Sequence, residues 1–417
     1  MPTEENKALV RRYVEKARNK GNTGIIDEMM TSDFKMKGND KMAYTSKRAL
    51  FFVLIALSIL GIAFSFSFGR APSLMYAHAA VPQSSTTLNV YFGSNDGYMY
   101  ALNASSGALH WRVHTGSAVT YPVAVSGGVV YVPTGNSLEA LNAQSGSHMW
   151  THTAGGSAYA PAVNNGVVYF NAGDDFLYAL KATDGSLLWR ASVGSLFSGA
   201  YKPAIANGVV YDSASGQLFA FHTSDGSMIW QDHDYQLSGP TATAPTVFNN
   251  VVYVGTGDGN GCLYAVNAPD GSILWGLCTQ FGTQSKPTIA NGLVYFCTTT
   301  NVNGEVIAVS ASTHMIVWSY RTTNGLALSQ AAVRGKAVYA AEGKSVYALN
   351  ATTGTKIWAR FLGVAIGTAG TVAASNGLVY TGASNGTLYA LSQSSSTGKV
   401  VWSYGTGGPV DDEPVVA

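Results

Sequence analysis

Charge is scarce in this sequence: Asp, Glu, Lys and Arg make up 11% of its 417 residues, and the formal net charge is +1. Affinity for nucleic acid comes from neutralising phosphates with Lys and Arg, so that class of partner is excluded. Cysteine is scarcer still. Cys262, Cys278 and Cys297 are too few for a disulfide scaffold and lack the paired spacing of a zinc site, which leaves at most one bridge. A phosphate-binding fingerprint is also missing. The glycine-rich stretch GTGDGNG, Gly255 to Gly261, opens no helix and lacks the ligand spacing of a calcium loop, so it reads as a turn. What the chain has in quantity is glycine, 47 residues, and apolar side chains, 47% of the total. That is the composition of a β-rich globular protein with a neutral exterior.

All eight tryptophans close segments of one kind, such as YALNASSGALHW to Trp111 and YALKATDGSLLW to Trp189. The others end at Trp150, Trp230, Trp275, Trp318, Trp358 and Trp402, at intervals of 39 to 45 residues. A unit of that length cannot bury its own apolar face, which implies an array of small sheets packed side by side. The unit from Ala160 to Trp189 contains four β-rich runs, Pro161–Asn164, Val167–Asn171, Phe176–Lys181 and Ser186–Arg190, with turns of Asn-Asn-Gly and Thr-Asp-Gly among them. One repeat is thus one four-stranded antiparallel blade, and the fold class is all-β, an eight-bladed β-propeller. The first tryptophan segment is preceded by VYFGSNDGYMY, with no first strand of its own, while Glu413-Pro414-Val415-Val416-Ala417 supplies one at the other end. Closure by this C-terminal strand leaves no open sheet edge. The propeller then spans residues 88–417, about 41 per blade.

Ahead of it, residues 1–40 read as an amphipathic helical segment, with Leu9, Val10, Tyr13, Val14 and Ala17 on one stripe. Residues 41–80 carry the apolar run Ala49 to Gly69, flanked by Lys47, Arg48 and Arg70, and 81–87 form a linker. Two readings of the run stand open: a secretory signal cleaved after Ala79 or Ala80, or a retained anchor that places residues 49–69 in a membrane. Both put the propeller outside the cytoplasm. Met42 is an alternative start.

The pattern Ala-x-(Asn/Asp)-x-x-(Ser/Thr)-Gly-x-x-x-Trp resembles the tryptophan-docking motif of the pyrroloquinoline-quinone propeller family. The resemblance implies that each tryptophan lies flat between the alanine of its own motif and the glycine peptide of a neighbouring one, tying blade to blade. The alanines are Ala101, Ala140, Ala179, Ala220, Ala265, Ala308, Ala348 and Ala390. Two motifs depart from the pattern: His314 replaces the sixth glycine, and two extra residues precede Gly398. Those dockings are expected to be the loosest, with Trp318 the tryptophan affected by His314. Residues 3–34 resemble the opening of polyketide-cyclase-like proteins, over a stretch too short to imply an activity.

Quinoprotein dehydrogenases of this family use the quinone with calcium, an aspartate base and a vicinal cysteine pair. This sequence has no Cys-Cys dipeptide, and no interval between tryptophans exceeds 45 residues, which leaves no room for the insertions that cover the cofactor in those enzymes. The fold match is not converted into an activity. No catalytic or metal-binding residue is assigned and no cofactor is expected. The leading expectation is an extracytoplasmic, non-enzymatic and monomeric propeller that binds a protein, peptide or glycan through its loop faces. The alternative is a pyrroloquinoline-quinone- and calcium-dependent alcohol or sugar dehydrogenase of reduced form. The same structural group contains the outer-membrane assembly lipoprotein of Gram-negative bacteria, but no cysteine precedes Cys262 to carry such a lipid.

Candidate binding residues on the loop face are Asp232, His233, Asp234 and Tyr235, in the longest loop between blades, and Asp411, Asp412 and Glu413, just before the closing strand. Carboxylates grouped on a loop equally suit a solvated surface. His110 with His114, and His148 with His152, lie four residues apart on strands, about 13 Å, too far for one metal to bridge. They read as exposed. In the fifth blade, pairing Ala265 with Trp275 sets a register in which opposite residue numbers sum to 540, so Cys262 faces Cys278 within reach of a disulfide. Three buried thiols are the alternative, and Cys297 is free in both readings.

Overall fold

The computed structural model describes residues 88–417 apart from the segments 195–200, 233–242, 258–260, 280–281, 283–284, 300–303, 323–329 and 367–371. The helical segment and the apolar run expected before residue 88 lie outside the described residues. No helix among those described is long and apolar enough to cross a membrane.

Eight antiparallel sheets of four strands are formed. Blades 2 to 8 follow chain order and begin at Ala124–Ser126, Ala162–Asn164, Ala204–Ala206, Thr246–Phe248, Thr288–Ala290, Ala332–Arg334 and Val372–Ser375. Blade 1 joins Asn89–Gly93, Tyr98–Asn103 and Leu109–His114 to Val415–Val416 from the other end of the chain, Val90 facing Val416 and Tyr91 facing Val415. First strands of successive blades lie side by side and so line the axis. The middle strands are covered on both faces by neighbouring blades, which is why they read as apolar runs such as VVYFNA and FLYALK without alternation. Fourth strands form the rim and expose Leu187 and Leu188 to about half their area. The fourth strand of blade 3 starts at Leu187, one residue later than the sequence pattern suggests, because Asp184 Oδ1 accepts both Ser186 N and Ser186 Oγ and holds that serine in the turn.

In every blade the motif alanine faces its tryptophan, as Ala179 faces Trp189, and the register slips by one residue immediately beyond. The slip is a β-bulge on the rim strand, a device that discourages pairing with another chain. Each indole crosses to the following blade. Gly185, with φ +70°, lies over Trp150, where an added Cβ would stand 2.5 Å from Cε3, so only glycine fits. Trp150 Nε1 donates to Ala182 O at 3.0 Å and Trp111 Nε1 to Ala143 O at 2.9 Å. A second-strand tyrosine packs against each tryptophan, and several reach the same carbonyl: Tyr91 Oη donates to Ala143 O at 3.0 Å and Tyr295 Oη to Ala351 O at 3.1 Å. The ring is completed when Trp402 docks on Gly107 and donates to Ala104 O at 3.1 Å.

The docking direction corrects one expectation. His314 stacks on Trp275 of the preceding blade, with ring centroids 5.0 Å apart and planes at 21°, while Trp318 docks normally on Gly354. A change in the sixth motif is therefore felt by the fifth tryptophan and not by Trp318. The extra residues before Gly398 keep that glycine against Trp358 but leave Trp358 Nε1 buried without an acceptor among the described residues.

Cys262 and Cys278 face each other on the last two strands of blade 5 and are joined by a disulfide. Cys297 is a free thiol, buried, with its pKa pushed up to about 12 by desolvation.

Candidate functional site

The register of the first strands places equivalent residues of all blades on rings around the axis. Two residues before the one that faces the blade tyrosine stand Pro122, Ala160, Lys202, Ala244, Lys286, Gln330 and Glu413. Most are small or neutral; three are charged. Lys202 keeps part of its surface exposed, yet the protein around it strips hydration and depresses its pKa. Glu413 opposes that shift and Lys286 adds to it. The register places these three residues at equivalent positions of blades 4, 6 and 1, on the strands that line the axis.

One residue further back, at the mouth, the ring divides by chemistry. Thr243 Oγ1 accepts Gly255 N at 2.8 Å, Ser285 Oγ accepts Cys297 N at 2.7 Å and Asp412 Oδ2 accepts Gly93 N at 2.8 Å. In these blades a short polar side chain turns inward and satisfies the second strand. The same place in blades 2, 3 and 4 carries Tyr121, Tyr159 and Tyr201. Tyr121 and Tyr159 meet edge to face at 5.1 Å, and Tyr121 is exposed. Three consecutive blades thus present an aromatic arc that borders the charged channel.

Asp411, Asp412 and Glu413 are brought to this mouth, with different roles. Asp412 is buried, and desolvation raises its pKa well above the ordinary carboxylate value, with the bond from Gly93 opposing and its acidic neighbours assisting. It is a structural group turned away from solvent, which corrects its placement among binding residues. Asp411 Oδ2 accepts Asn95 Nδ2 at 2.9 Å, and Glu413 belongs to the charged ring. Asp232 is half-buried and its backbone N donates to Leu218 O, continuing the rim strand. His233, Asp234 and Tyr235 lie outside the described residues. His110, His114 and His148 are exposed, but His152 is half-buried: its Nδ1 sits 3.1 Å from Gly185 O, and its ring meets Phe170 and Tyr178 edge-on. It packs onto blade 3, which corrects the reading of all four as exposed. Among the described residues no three His, Cys, Asp or Glu side chains group as for a metal.

Lys202, Lys286 and the tyrosine arc were missed from the sequence. The signal was the residue ahead of each blade-opening proline, as in Lys202-Pro203, Lys286-Pro287 and Glu413-Pro414.

Beside the arc, between blades 3 and 4, Asp212 is completely buried at a position where blades 1, 3 and 6 carry Phe92, Phe170 and Phe296. Asn171 Nδ2 donates to Asp212 Oδ1 at 2.8 Å and to Tyr201 O at 3.2 Å, and Asp212 Oδ2 has no partner among the described residues. Burial lifts the Asp212 pKa from 3.8 to about 7, against the bonds from Asn171 and Ser213 N. The folded state therefore holds a proton that the unfolded chain releases near pH 3.8. This contribution to stability is complete below that pH, is lost progressively as pH rises to about 7, and then stays level. The span is on the order of 4 kcal/mol at most. Asp212→Asn should raise the Tm at pH 8 and make little difference near pH 4; equal Tm differences at the two pH values would rule this out.

A family model described as outer membrane protein assembly factor BamB matches residues 95–240, 233–364 and 342–417. BamB of Yersinia pestis is 26% identical over 167 residues, 36% of this chain and 40% of that protein. BamB of Moranella endobia is 28% identical over 237 residues, 55% of this chain and 50% of that protein. The chain thus spans half or less of the length of these curated relatives. Among solved structures, BamB from Moraxella catarrhalis superposes with a TM-score of 0.60 at 18% identity, covering 70% of this chain and 90% of the other. Quinohemoprotein alcohol dehydrogenase from Comamonas testosteroni gives 0.55 at 13% identity, covering 78% and 70%. Both structures share the fold.

Proposed function

The chain belongs to the family of the outer membrane protein assembly factor BamB, and from this premise we propose that it is a non-enzymatic, extracytoplasmic scaffold that grips a protein partner at the channel-mouth face. The observation that carries this reading is the arc of Tyr121, Tyr159 and Tyr201. The capping bond made by Thr243, Ser285 and Asp412 elsewhere is not made by these side chains, whose large amphipathic rings suit the core of a protein interface. The charged ring behind it, Lys202, Lys286 and Glu413, supplies polar anchors in a partly desolvated wall. The disulfide in blade 5 fits an oxidising compartment.

A second reading is favoured by the two channel lysines, which fit the carboxylates of pyrroloquinoline quinone. The quinone would supply the redox chemistry of an alcohol or sugar dehydrogenase, with Lys202 and Lys286 holding its acidic edge. Against it, the three cysteines at 262, 278 and 297 cannot form the vicinal pair of those enzymes.

The test is affinity capture from the native envelope fraction with the wild-type chain and with Tyr121→Ser/Tyr159→Ser. A protein retained by the wild type should fall at least tenfold with the double variant. Undiminished capture removes the arc as the docking surface, and dye reduction after reconstitution with the quinone and calcium transfers the assignment to the dehydrogenase.

A further inference from the structure

The opposite face of the propeller carries the hairpins that join the first and second strands of the blades, and their two-residue turns are nearly uniform. The second turn residue is left-handed in six of those described, at Gly128, Gly166, Gly208, Asn250, Gly292 and Gly377. Glycine adopts that backbone without strain; asparagine does so at a cost. Asn250, with φ +60°, follows Asn249, with φ +49°, so blade 5 alone builds this turn from two asparagines. The flanking position varies but carries no aromatic in the other described blades, with Ser126, Asn164, Ala206, Ala290, Arg334 and Ser375. Blade 5 places Phe248 there, 44% exposed. Blade 5 thus sets an exposed aromatic ring beside a turn that ends in asparagine where five other blades have glycine.

These departures border a hollow on the surface. It holds about 570 Å³, is open to solvent and is lined by Ala206, Asn207, Val247, Phe248, Asn249 and Asn250, from blades 4 and 5. That volume suits a small ligand. Asn207 Nδ2 donates to Asn250 Oδ1 at 3.0 Å, so the two amides orient each other across the blade boundary. The outward donor of Asn250 and the acceptor of Asn207 then stand in fixed directions beside the Phe248 ring. No charged residue lines the hollow, which disfavours ions and charged groups. The hairpin's own strands are paired, which leaves no edge for an extended peptide.

We propose that this turn of blade 5, with Asn207 of blade 4, is a binding site for a neutral oligosaccharide. The apolar C–H face of a pyranose packs on Phe248, and its hydroxyls exchange hydrogen bonds with the paired amides of Asn207 and Asn250 and with Asn249. The site lies on the face opposite the tyrosine arc and does not depend on the protein-scaffold reading.

The experiment is calorimetric titration of the full chain with cellotetraose, chitotetraose and maltotetraose. At least one should bind with unit stoichiometry. Phe248→Ala should weaken it at least tenfold. Asn250→Gly installs the turn residue of the other blades, so it should hold or raise the Tm while weakening binding at least fivefold, which separates loss of the amide from loss of the fold. Tyr121→Ser/Tyr159→Ser should bind the saccharide as the wild type does. Absence of binding to all three sugars, or wild-type affinity in both Phe248→Ala and Asn250→Gly, overturns the proposal.

Discussion

Deleting Glu413 to Ala417 should open the ring. The lost strand pairs Val416 with Val90 and Val415 with Tyr91, and the backbone of Ala417 exchanges two bonds with Asn89, at 2.9 and 3.0 Å. At roughly 1 kcal/mol for each backbone bond, and with the buried surface of Val90, Tyr91 and Phe92 losing cover, the cost is on the order of 5 kcal/mol or more. The damage is confined to the strand and the Glu413 side chain. Gly407 N still donates to Asp96 Oδ2 at 2.8 Å, and Asn95 N to Pro409 O at 2.9 Å, so the approach to blade 1 survives. What remains is a long, apolar and unpaired edge on Asn89–Gly93, a template for association. Denaturant titration should show a lower midpoint, and size-exclusion chromatography should show oligomers. A monomer with an unchanged midpoint would mean that the strand does not hold the ring shut.

The blades were legible because their determinants are local and repeated. Tryptophan at a fixed distance from alanine and glycine encodes one docking geometry in six of the eight motifs, and Asn-Gly turns encode the hairpins. The orphan strand Val415–Val416 was legible by counting. The direction of docking was not, since a motif spacing is the same whether a tryptophan reaches forward or back; Gly185 over Trp150 settles it. The tyrosines that share the tryptophans' carbonyl acceptors were hidden in runs that read simply as apolar strand. The channel was hardest. Lys202, Lys286 and Glu413 are more than eighty residues apart at the nearest, each a single residue in an otherwise variable place, and only closure of the ring puts them across one axis. Asp412 shows the reverse error: an acidic run looked like surface, while the register turned one carboxylate inward to bond Gly93 N.

Replacing Trp189 by alanine should cost about 3–5 kcal/mol, the usual range for removing a large aromatic from a packed site. Trp189 is only 8% exposed, lies against Gly226 and Tyr169, and donates through Nε1 to Thr223 O at 3.0 Å, so the substitution opens a cavity between blades 3 and 4 and strands a carbonyl. Trp275→Ala should cost less. Its partner is the ring of His314 in place of a glycine peptide, Trp275 is half-buried, and His314 holds a left-handed backbone, φ +61°, that glycine adopts more easily. Part of what Trp275 gains by stacking is thus already offset by strain in its partner, and an exposed histidine can move into the vacated space where a glycine cannot. Trp318→Ala, with Gly354 packed on its ring and Nε1 bonded to Ala351 O at 2.9 Å, should group with Trp189→Ala. Parallel denaturant titrations of the three variants check the order. If Trp318→Ala is the mild one and Trp275→Ala is as severe as Trp189→Ala, the docking does not run from each tryptophan to the following motif and the assignment of His314 to Trp275 fails.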